Sequence, residues 1–85
     1  MTVKQQFEQT LFNMGLFEDQ ASQIMELAMP RFAELLPQYS VTWDRPASEY
    51  PEAFYNVAFQ FVVKKAAVEW IDTNLPNAWY RALFA

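Results

Sequence analysis

EYPEAFYNVAFQFVVKKAAVEWIDTN, residues 49–74, decides how the rest of the chain is read. After Pro51 it has no glycine or proline, and it is rich in Ala, Val, Phe and Glu. Read as one helix from Pro51 to Asp72, it spans roughly 33 Å at 1.5 Å per residue. The other pieces of the chain are shorter and need an apolar surface to pack on. Only this stretch is long enough to supply one. The expected architecture is therefore all-α: a single domain, residues 1–85, with three main helices built around one long helix in the C-terminal half and a short C-terminal turn.

The first half of that helix carries Glu52, Asn56, Gln60 and Lys64, each four residues after the last. That spacing makes one narrow polar stripe. Phe54, Tyr55, Val57, Ala58, Phe59, Phe61 and Val62 fill the remaining faces. Beyond Lys64 the polar face passes to Lys65, Glu69 and Asp72, while Ala67, Trp70 and Ile71 point roughly where the stripe was. At about 100° per residue the wet side moves by more than a third of a turn. A helix that is apolar nearly all round in one half has to be covered on most sides there, and two short helices cover only part of it. The expectation is an exposed aromatic surface centred on Tyr55, Phe59 and Val63, used for self-association or for a partner protein, with a homodimer as the form expected in isolation. The competing reading is that the loop carrying Trp43 folds over the same arc.

Composition narrows the chemistry. The chain has 85 residues, no Cys and no His. Disulfide staples, thiol nucleophiles and thiolate metal sites are excluded, and so are the commonest metal ligand and the usual neutral-pH acid–base group. A domain this small buries only about 60–65% of its unfolded surface, so packing has to hold it together. Fifteen aromatic residues are the expected source. The formal charge is −4, with eight acids against Lys4, Arg31 and Arg45 in residues 1–63. That is not a basic footprint for duplex nucleic acid. The N-terminal MTVKQQFEQT has no signal-peptide core, and no apolar run reaches the ~18–20 residues of a membrane span. The expectation is a cytoplasmic protein without cofactor or metal.

In chain order, Thr2 and Gln5 have the spacing of a capping box that starts a first helix at Val3. Val3, Phe7, Leu11 and Met14 share one face, and Gly15 stands where a helix end needs a positive φ. A second helix begins near Glu18 and Asp19, with Phe17, Ala21, Ile24, Met25 and Ala28 as its apolar stripe. Pro30 then either kinks one helix running to Leu36 or divides it, and the missing N–H favours a division. Residues 37–50 connect to the long helix, with Tyr39, Trp43 and Tyr50 pinning the loop and Ser48 and Pro51 marking the helix start.

Catalytic constellations are weak. Asp44, Glu49 and Glu52 offer carboxylates, but a chain of this size has little room for the sugar cleft that paired carboxylates serve. Ser22, Ser40 and Ser48 lack a His base, and one glycine cannot make a phosphate loop. The reading is not an enzyme. Lys64, Lys65 and Arg81, with Trp79 and Tyr80, are anion- or nucleotide-binding candidates, against the plainer reading of a solvated helix face.

Two resemblances accompany this. Met14, Gly15 and Leu16, followed by Gln20, Ala21 and Ile24, resemble the first loop and second helix of ubiquitin-associated domains, with Leu16 in place of the family's aromatic and Pro30 near the family's second loop. A glycine cap after an apolar helix produces most of that likeness. Trp70, Ile71 and Asp72, then Pro76, Ala78, Trp79, Arg81 and Phe84, look like the ends of short, mostly uncharacterised proteins encoded by tailed bacteriophages and prophages, which close on Pro-x-Ala-Trp-x-Arg-x-x-Phe. Ala82 stands where that pattern has a proline. The likeness implies a phage origin, a place in the host bacterial cytoplasm, and a non-enzymatic accessory role that includes acting on a host protein. The alternatives are a structural homo-oligomer, such as a virion or assembly component, and an oligomeric small-ligand or nucleotide binder. Trp70 is expected to be buried against Trp79, with Arg81 reaching Asp72.

Overall fold

The computed structural model describes residues 1–35 and 41–74. Its elements are α1 (Val3–Asn13), α2 (Glu18–Leu35), a 3-10 turn (Ala47–Glu49), α3 (Glu52–Ala58), a π turn (Phe59–Val63) and α4 (Lys64–Asn74). The last three run on as one long helix, with right-handed helical dihedrals at Ala58, Phe59 and Lys64 where the segments meet. The fold is all-α, and among the described residues it has three main helices, α1, α2 and the long one. The expected C-terminal turn, with Trp79, Arg81 and Phe84, lies outside the described residues, as do Leu36, Pro37 and Tyr39.

α1 starts as its sequence dictates. The Gln5 amide donates to Thr2 Oγ1 at 3.2 Å and the Thr2 amide donates to Gln5 Oε1 at 2.9 Å, closing the capping box. Two further first-turn donors are satisfied from a distance. The Val3 and Lys4 amides reach the carbonyls of Arg45 and Trp43, at 2.9 and 3.3 Å. The connecting loop is thus tied to the start of α1 by the N–H groups a helix cannot pair internally. Gly15 ends the helix region at φ 105°, a conformation that needs no Cβ.

Two readings of α2 are corrected. Leu16, not Phe17, enters the core: Leu16 is buried and Phe17 is 65% exposed. Phe17 instead opens the helix, its amide donating to Gln20 Oε1 at 2.9 Å and its carbonyl accepting from Ala21. The expected division at Pro30 does not occur, because α2 runs through it to Leu35. Pro30 and Glu26 both face solvent, so the Glu26 carbonyl deprived of its helical donor is open to water. Ala28 and Phe32 keep their phase and remain buried. The proline is tolerated because it sits on the wet side.

The long helix follows its polar stripe, with Glu52, Asn56 and Gln60 exposed and Lys64 half-buried. Its change of face has a local cause. Within the π turn the Lys64 amide donates to the Phe59 carbonyl, five residues back, so one turn holds an extra residue. At about 100° per residue Trp70 falls about 160° around an ideal helix from Phe54, and the extra residue takes back about 100° of that. Phe54, Ala58, Ala66, Ala67 and Trp70 can therefore share one core.

That core has an aromatic end and an aliphatic end. Phe7 lies among Phe32, Trp43, Phe54 and Tyr55, with ring centroids 5.3–6.3 Å apart. Trp43 meets Phe32 edge-on at 4.8 Å, and Tyr50 lies 4.8 Å from Phe54. Tilted and edge arrangements of this kind add to the area buried. The loop is pinned by Trp43 and Tyr50, as its sequence suggests, and the Tyr50 hydroxyl also accepts from the Thr42 amide at 3.1 Å. At the other end Leu11, Ile24, Met25, Val62, Val63 and Ile71 are fully buried. Trp70 is buried as expected, its indole N–H donating to Gln23 Oε1 at 3.2 Å.

Candidate functional site

The polar stripe of α3 and one side of α1 face each other across a groove of about 580 Å³. α1 supplies Gln6, Phe7 and Thr10, and α3 with the π turn supplies Glu52, Tyr55, Asn56, Phe59 and Gln60. The 3-10 turn closes one end with Ala47 and Ser48, next to Tyr50. Each wall follows from helical spacing: Gln6 and Thr10 lie four apart beside the buried row of Val3, Phe7 and Leu11, as Glu52, Asn56 and Gln60 do beside Phe54 and Ala58.

Two of the three residues expected on an exposed surface line this groove. Tyr55 and Phe59 are half-buried, and both pack against the core. Val63 is the correction: it is fully buried, because the π turn swings it inward beside Val62. The competing reading of the arc holds in part. The loop reaches Tyr55, whose hydroxyl donates to the Ala47 carbonyl, but Trp43 itself packs on Phe7 and Phe32. Burial, with the neighbouring Tyr50 adding to it, pushes the Tyr55 phenol above its usual range. Its ring is a fixed wall.

The groove's polar groups are of a different kind. Thr10 donates to the Gln6 carbonyl at 3.1 Å, as helical threonines do. Among the described residues the side-chain amides of Gln6, Asn56 and Gln60 have no protein hydrogen-bond partner. An amide both donates and accepts, so these three can pair with a peptide backbone. Gln6 and Thr10 were not singled out by sequence reasoning. Their signal was present, a polar pair at helical spacing, but it becomes a wall only once the packing of α1 on the long helix is known.

Lys64 and Lys65, with Gln60 and Val68, line a shallower hollow of about 340 Å³ just beyond the groove. Neither lysine makes an ion pair among the described residues. Arg81, the third anion-binding candidate, lies outside the described residues. Of the carboxylates, Glu49 is held by Arg45 at 3.2 Å and Glu52 lies at the groove's edge. Among the described residues there is no group of three or more potential metal ligands, and no helix is long and apolar enough to cross a membrane.

Compared with family models, with curated proteins and with solved structures, the chain matches none.

Proposed function

We propose that the chain acts by binding another protein through the groove between α1 and α3, as a small non-enzymatic accessory protein of the phage type whose partner is a host protein. The observation that carries this is the pairing of half-covered aromatic walls, Tyr55 and Phe59, with the side-chain amides of Gln6, Asn56 and Gln60, which have no hydrogen-bond partner among the described residues. Interfaces concentrate their energy in aromatic residues at the centre and place satisfiable polar groups around them. Phe59 is the residue to alter, since it is tied to no other side chain by a hydrogen bond and its removal leaves the buried row intact. Immobilised wild-type protein and Phe59→Glu are compared for capture from a bacterial lysate, with circular dichroism as the folding control. The reading predicts a protein retained by the wild type and lost by a folded Phe59→Glu. Identical captured sets from both would overturn it.

A second reading is a homo-oligomer. Phe61 favours it, since this ring stands 55% exposed on the long helix, away from the groove. Size-exclusion chromatography with light scattering on wild type and Phe61→Ser separates the two: a dimer dissolved by Phe61→Ser alone supports self-association.

A further inference from the structure

The groove and the hollow beyond it are parts of one strip, because Gln60 lines both. The strip follows the polar row of the long helix from Glu52 through Asn56 and Gln60 to Lys64. Its ends carry opposite charge. Glu52 stands at one end, and among the described residues it has no ion pair. Lys64 and Lys65 stand at the other, equally unpaired, on a chain whose formal charge is −4. Between the ends, among the described residues, the groove has no charged side chain: aromatic walls and amides line it, with Thr10, Ala47 and Ser48.

We infer that the groove's occupant is an extended segment of a partner protein that carries a basic residue opposite Glu52, an apolar centre between Tyr55 and Phe59, and an acidic residue opposite Lys64 and Lys65. This rests on the groove reading above and adds the partner's charge order to it. The twelve-residue rise from Glu52 to Lys64 is about 18 Å on a helix. An extended chain covers that in about five or six residues at 3.3 Å each. Backbone N–H and C=O groups of such a segment meet the amides of Gln6, Asn56 and Gln60, and the end charges fix its direction and register. A helical occupant would hide its backbone and leave those amides unused.

The test pans a random peptide library against the purified full chain, against Phe59→Glu, and against the charge reversal Lys64→Glu/Lys65→Glu. Lys64→Gln/Lys65→Gln serves as a milder second variant in case the reversal perturbs folding. The wild type is expected to enrich peptides with one acidic and one basic residue about five positions apart around an apolar centre. The reversal should replace the acidic position with a basic one. A synthetic copy of the wild-type winner should bind the glutamine variant about fivefold more weakly, and the difference should shrink at high salt. Apolar-centred peptides without end charges, bound equally by the lysine variants, would overturn the charge order and leave the groove standing. No peptide enriched by wild type over Phe59→Glu would bring down the groove reading itself. A wild-type dimer that Phe59→Glu dissolves would make the occupant a second copy of the chain, and the partner segment would be wrong.

Discussion

The two halves of the long helix are joined without a break yet built for different tasks. α4 buries Ala66, Ala67, Trp70 and Ile71, four of its eleven residues, and packs against α2. α3 buries Phe54 and Ala58, a similar share of its seven residues, but its Tyr55, with Phe59 of the π turn, is left half-covered along the groove. Both halves feed the core, and the first also walls the groove. What separates them is the single extra residue of the π turn, which lets each half choose its own face. Such turns recur at functional sites in helices. Here the physical reason is visible, since a uniform α-helix could not present both Phe54 and Trp70 to one core.

The sharpest way to break this comparison is by deletion. Removing exposed Phe61 takes the extra residue out of the π turn and lets the long helix close as a regular α-helix, with Phe54 and Trp70 in their present relation. Removing exposed Glu26 from α2 has no such reserve. It rotates Ala21, Ile24 and Met25 by about 100° against Ala28 and Phe32. Urea unfolding should show the Glu26 deletion losing about 3 kcal/mol or more, while the Phe61 deletion stays within about 1 kcal/mol of wild type. Equal losses would mean the π turn does not set the phase.

Next in size is the contrast between two phenylalanines of the first half. Phe54 is fully buried against Phe7, Phe32, Tyr50 and Tyr55. Phe54→Ala should cost about 3–5 kcal/mol. Phe59→Ala removes a half-buried ring from the groove wall and should cost about 1–2 kcal/mol, a fraction of the side chain's burial. Chemical denaturation checks both, and similar losses would place Phe59 in the core rather than at a surface.

How much of this was legible in the sequence depends on where the information is local. The capping box at Thr2 and Gln5, the glycine at the end of α1 and the polar stripe of α3 are set by residues three or four apart, and each was readable. The face rotation was readable too, but its cause was not. Periodicity reports that two halves disagree in phase; it does not say whether a partner, a loop or an extra residue in one turn reconciles them. Val63 was misplaced on an exposed face for that reason. Pro30 failed differently, because a proline's effect depends on whether the carbonyl it orphans faces water, which only the packing decides. Of the groove, the walls Tyr55 and Phe59 were readable from the long helix alone, whereas Gln6 and Thr10 required knowing which side of α1 the long helix lies against.

The smallest expected effect concerns Tyr55. Its phenol holds its proton above the usual range because of burial and Tyr50, so the folded state stays protonated when the unfolded chain has begun to ionise. The stability this contributes is fully present below about pH 10 and is lost as pH rises above it. Tyr55→Phe should cost about 1 kcal/mol at neutral pH, through the lost hydrogen bond to the Ala47 carbonyl. It should also flatten the decline in stability above pH 10. An unchanged decline would show that the phenol is as free in the fold as in the unfolded chain.

The central claim, that the first half of the long helix is a binding wall and the second half a scaffold, is tested most directly by mapping backbone amide shifts in NMR while a library-selected peptide is titrated in. The account predicts perturbations gathered at Gln6, Thr10, Asn56, Phe59 and Gln60, with Ala66, Ala67 and Ile71 unmoved. Shifts gathered instead around exposed Phe12 and Phe17, at the junction of α1 and α2, with the groove amides unmoved, would contradict it.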